Sequence, residues 1–64
     1  MTTPLDALPA IGAPATRALN SAGYGSLSAL AGVPRSVLAG LHGVGPKALR
    51  VIEQALAEHG LGLE

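Results

Sequence analysis

Proline and glycine leave this chain little room for any long element. Five prolines and nine glycines fall among 64 residues. Proline suits the first position of a helix, where its missing N–H is no loss, and glycine suits the position just past the end. Read by that rule, the chain predicts five short helices. The first runs from Pro4 to about Leu8, with Thr3 as N-cap and Asp6 in the first turn, where a carboxylate suits the helix dipole. The second opens near Ala13-Pro14 and stops at Gly23, followed by Tyr24 as the apolar contact of a glycine cap. Ser26 caps a third that ends near Gly32, Pro34 opens a fourth through about Ala39, and Pro46 opens the longest, which Gly60 ends after His59. No stretch alternates apolar and polar residues over strand length, and short loops suit helices packed directly on one another. The expected class is all-α.

Composition sets the material of the core. Hydrophobic residues make up 48% of the chain, yet Cys, Trp and Phe are absent and Tyr24 is the one aromatic. Ala, Leu, Ile and Val must therefore fill a single small domain, and a domain of about 60 residues buries only about 60% of its unfolded surface. Without cysteine there is neither a disulfide framework nor a thiolate metal site, the usual state of a reduced cytosolic protein. Met1-Thr2-Thr3-Pro4 lacks the basic and apolar regions of a signal peptide, and no run approaches the 18 or so apolar residues of a membrane span. The expectation is a soluble, cytoplasmic protein with no membrane contact and no cofactor. Leu63-Glu64 match the residue of a common cloning junction as readily as a native end, so no expectation rests on them.

An internal repeat organises the rest. Shifted by 33 residues, Leu8–Leu19 falls on Leu41–Ile52, with Leu, Gly, Ala and Arg identical and Ile11 over Val44 and Leu19 over Ile52 conservative. The first unit spans about residues 4–23 and the second about 34–60. At 100° per residue, Ala48, Val51, Ile52, Ala55, Leu56 and His59 share one face of the last helix with Leu49 at its margin, and Ala15, Ala18, Leu19 and Ala22 share one face of the second. Arg17 and Arg50 then point the same way relative to their cores. The formal net charge is zero, but its distribution is not uniform: Arg17, Arg35, Lys47 and Arg50 lie between Pro9 and Ile52, while Asp6, Glu53, Glu58 and Glu64 all lie outside that segment.

Leu41-His42-Gly43-Val44-Gly45-Pro46-Lys47-Ala48 is the most informative segment. Gly43 and Gly45 permit positive φ and close approach of another backbone or a phosphate, Val44 anchors the bend in the core, and Pro46 starts the helix. Such a turn points amide N–H groups outward at the positive end of a helix dipole, a site for a phosphate oxygen. Lys47 adds a mobile charge, Arg50 follows one turn later, and Gly12 with Arg17 repeats the arrangement. Glu53 and Glu58 are expected to form solvated ion pairs with Lys47 and Arg50. His42 and His59 are too far apart in sequence to suggest a shared metal site, no base partners the serines, and no enzyme activity is expected.

These residues resemble the helix-hairpin-helix motif of DNA-binding proteins, in its tandem, five-helix form, over about Leu5 to Leu63. Leu41–Ile52 carries the most specific part, and Leu8–Leu19 looks like a degenerate copy with Ala10 where glycine is typical. The ending Leu56–Leu63, with Gly45, Lys47 and Ala48, is also similar to the C-terminal domain of the bacterial RNA polymerase alpha subunit. Pro14 stands where that domain has its main DNA-gripping arginine, and Arg17 where it has asparagine. The resemblance therefore implies sequence-tolerant binding to the phosphates of double-stranded DNA rather than promoter recognition. It implies Gly43, Gly45 and Lys47 as hairpin contacts, with Gly12, Arg17 and Arg50 added by the repeat. Two alternatives accompany it. One is a protein-interaction module using an exposed patch such as Leu27, Leu30, Val37 or Leu61; the other is an accessory domain of a larger nucleic-acid protein.

Overall fold

The computed structural model describes residues 3–64, which form four α-helices and, among those residues, no strand. They are α1 (Ala13–Ser21), α2 (Leu27–Leu30), α3 (Arg35–Ala39) and α4 (Pro46–Ala57). The class is all-α, with one helix fewer than the proline and glycine punctuation predicts. Pro4–Leu8 makes a single turn, closed by the Ala7 N–H donating to the Pro4 carbonyl at 3.2 Å. The reason is local: in a helix the Leu5 carbonyl would need the N–H of residue 9, and Pro9 has none. That carbonyl instead accepts from the Ser28 amide at 2.9 Å, and the Ala7 carbonyl accepts from Leu27 at 2.9 Å.

One core joins all four helices. Leu19 of α1, Leu27 and Leu30 of α2, Leu38 of α3 and Ile52 and Leu56 of α4 are fully enclosed. Burying each such side chain stabilises by about 1.5–3 kcal/mol. Leu8 and Leu41, partners under the 33-residue shift, both pack half-buried against this cluster, as does Tyr24. The apolar stripe of α4 is rotated from its expected centre: Leu49 is buried, while Val51 sits half-buried at the edge.

Both long helices stop in the same way. The Tyr24 amide donates to the Leu19 carbonyl at 2.8 Å, and the Leu61 amide to the Leu56 carbonyl at 2.9 Å, each a six-to-one bond beside a glycine. The starts of α1 and α4 align at an offset of 33 residues, Gly12 on Gly45, but their ends align at 37, Leu19 on Leu56. The four extra residues add about one turn to α4.

The chain ends complete the packing. The Glu64 amide donates to the Val33 carbonyl at 2.9 Å, and the Glu64 carbonyl accepts from Arg35, the first residue of α3, at 2.8 Å. His59 Nε2 lies 2.6 Å from the Thr3 carbonyl. A carbonyl only accepts, so that nitrogen carries the proton. His59 thus holds the N-terminal segment. No helix of the described residues is long and apolar enough to cross a membrane.

Candidate nucleic-acid interface

Two bends precede the two long helices, and each bend packs on the other's helix. Ala10, Ile11 and Gly12 of the first bend face Lys47, Ala48 and Val51 of α4 across a hollow of about 270 Å³. Gly43 of the second bend lies against the start of α1, where a Cβ on Gly43 would stand 2.8 Å from the Pro14 carbonyl oxygen. Under the 33-residue shift Ala10 corresponds to Gly43 and Lys47 to Pro14, so corresponding positions face one another twice, in close approach at Gly43 and across the hollow at Ala10. The flanking grooves repeat the relation: Pro9 shares one with Val51, Gln54 and Ala55, and His42 shares the other with Ala18, Ser21 and Ala22. Reciprocal contact of this kind is what a two-fold relation between the copies requires.

The two bends are nevertheless different turns. Gly43 carries φ of 98°, whereas Gly45 lies at φ −101° and ψ 178°, extended backbone open to any residue. The expectation of positive φ at Gly45 is therefore corrected. In the first copy the order is reversed: Ala10 replaces the first glycine and Gly12, the partner of Gly45, takes φ 89°. Where glycine allows contact with Pro14 the copies close; where Ala10 keeps a side chain the hollow beside Lys47 remains. The close-approach freedom of Gly43 is used for the Pro14 backbone of the same chain.

The helix starts divide into two kinds. At α2 the first three amides, Leu27, Ser28 and Ala29, all donate to backbone carbonyls, those of Ala7, Leu5 and Ser26. At α3 Arg35 donates to Glu64 and Val37 to Pro34. At α1 the first backbone bond is Thr16 to Gly12, and at α4 it is Leu49 to Gly45. Ala13 and Ala15 in α1, and Lys47 and Ala48 in α4, therefore have no backbone acceptor among the described residues, and no side chain caps either helix. Pro14 and Pro46 remove one donor each.

Cations stand beside those open starts. Arg17, Lys47 and Arg50 are exposed and make no ion pair among the described residues. The pairing expected of Glu53 with Lys47 or Arg50 is replaced by one with Arg35 of α3, Nε to Oε1 3.1 Å. Glu53 projects from α4 toward α3, away from Lys47 at the helix start. Positions three apart are neighbours on a helix surface, so Arg17 lies one turn after Pro14 and Arg50 one turn after Lys47, both exposed. Gly12 and Lys47, one from each copy, line the same hollow. The cross-copy packing has no local sequence signal, because it joins positions far apart in the chain. No group of three potential metal ligands occurs among the described residues. No protein-family model matches the chain, and no curated protein or solved structure matches it significantly.

Proposed function

We propose that the chain is a tandem helix-hairpin-helix domain that binds double-stranded DNA weakly and with little regard for sequence, through phosphates. The observation that carries this reading is the pairing of unbonded amides at the starts of α1 and α4 with the unpaired cations Arg17, Lys47 and Arg50. Helix N-termini attract anions through their free N–H groups and the dipole, and lysine or arginine beside them adds the charge that releases counterions from DNA. Gly45 and Gly12 begin the two gripping helices, Lys47 reaches phosphate as a point charge, and Arg17 and Arg50 reach neighbouring ones. Gly43 shapes the second bend and offers its exposed backbone to the same strand. The reciprocal packing supports the tandem reading, since it turns one sequence repeat into two similar grips.

With three or four phosphate contacts, affinity falls in the non-specific range of roughly 10⁻⁴ to 10⁻⁶ M, and log K falls with log salt at about −0.9 per contact. Fluorescence anisotropy of a labelled generic duplex tests this. Reversing charge with Lys47→Glu and Arg50→Glu lowers affinity equally for unrelated sequences and flattens the salt slope. Binding unaffected by that reversal, or absent at low salt, overturns the reading.

A second reading, a protein-interaction module, draws on the zero net charge and on Val37 and Leu61, 45% and 40% exposed. Two of its four expected residues are lost to it: Leu27 and Leu30 are fully buried. Isolated exposed aliphatics are ordinary on any small protein, which leaves the DNA reading stronger.

A further inference from the structure

We infer that His42 is a further DNA contact, one that grips phosphate when its imidazole carries a proton and so makes affinity depend on pH. This rests on the DNA-binding reading above and adds its regulation. His42 is exposed, makes no hydrogen bond or ion pair among the described residues, and directly precedes Gly43 in the second bend. It is three residues from Gly45, so their Cα atoms lie within about 11 Å even in an extended chain. The ring therefore belongs to the same bend as the start of α4, beside a groove it shares with Ala18, Ser21 and Ala22 of α1.

The surroundings leave the ring available to an anion. α1, the element packed beside it, contributes Ala18, Ser21 and Ala22 to the shared groove, and the bend itself contributes Leu41. None of these is charged or titratable, so no carboxylate of the groove competes with phosphate. In the first copy the corresponding residue is Pro9, which is buried and cannot titrate. The matching groove there also carries Glu58, which repels a phosphate. Proton-dependent contact is thus confined to the second bend, the one whose helix also carries Lys47.

Histidine changes charge between pH 5 and 8, and both ring nitrogens donate once it is protonated. Phosphate favours the charged form, so binding takes up a proton and tightens as pH falls. Anisotropy of a labelled generic duplex, measured with the full chain at low salt from pH 5.5 to 8, reads the effect. The wild type tightens by about two- to fivefold toward pH 5.5, the size of one exposed charge contact. His42→Gln removes most of that change while keeping the affinity seen at pH 8, and His42→Lys keeps the tight value across the range. His59→Gln, on the far end of α4, retains the pH response. Helical circular dichroism of each variant at both pH extremes checks that folding is intact. A pH response undiminished in His42→Gln, or none in the wild type, overturns the role of His42 and leaves DNA binding standing. No binding at any pH overturns both.

Discussion

The four helix starts of this small protein fall into two pairs that solve one problem differently. Every helix begins with amides that lack an intrahelical partner. At α2 the chain supplies all three acceptors itself, and at α3 it supplies those of Arg35 and Val37 but not of Ser36: its N-terminal segment turns back to Leu27 and Ser28, and Glu64 turns back to Arg35. At α1 and α4 it supplies none, places proline in the first turn, and leaves Arg17, Lys47 and Arg50 unpaired nearby. The contrast teaches that the open starts are not a general looseness of a 64-residue chain. Two helices of four and five residues receive carbonyls from distant segments, while the two longest begin with amides that no backbone carbonyl of the described residues accepts from.

Several substitutions can break or sharpen that contrast. Both pairs hang on one core, so Leu56→Ala, at a fully enclosed site, should cost about 2–5 kcal/mol and loosen open and closed starts together in chemical denaturation. Gly43→Ala places a Cβ 2.8 Å from the Pro14 carbonyl oxygen at φ 98°, and should cost about 1–3 kcal/mol. Gly45→Ala, at an extended φ with open space around it, should cost under about 1 kcal/mol. Equal losses from the two glycine variants would remove the distinction between a glycine that packs and one that merely begins a helix. Deleting Leu63-Glu64 strips the closed start of α3 of its acceptor and exposes a half-buried leucine. It should lower stability by about 1–2 kcal/mol, with faster amide exchange at Arg35 and none of the change at Lys47. Arg35→Ala removes the exposed ion pair with Glu53 and should shift the thermal midpoint least, in keeping with about 0–1 kcal/mol for a surface pair.

Much of the fold was legible from punctuation. Pro34, Pro46, Gly23, Gly32 and Gly60 place an end of each of four helices close to where it occurs, because proline and glycine act on backbone angles that no distant contact can change. Pro4–Leu8 misled, since a good N-terminal signature says nothing of the missing donor at Pro9 five residues after Pro4. The candidate site was legible as a list but not as an arrangement. Gly12, Gly45, Lys47 and the two arginines could be named from the repeat, whereas the crossing of each bend onto the other helix depends on packing across the core. Likewise, the partner of Glu53 was misplaced because i to i+3 neighbours are visible in a sequence and a residue 18 positions away is not.

An amide-resolved NMR titration of the isotope-labelled chain with a short generic duplex at low salt addresses the proposed phosphate grip most directly. Signals of Gly12, Ala13, Ala15, Gly45, Lys47 and Ala48 should move, and move back as salt is raised, while those of Leu27, Ser28 and Arg35 stay in place. Shifts concentrated at the closed starts or around Val37 and Leu61, or no shifts at all, would contradict it.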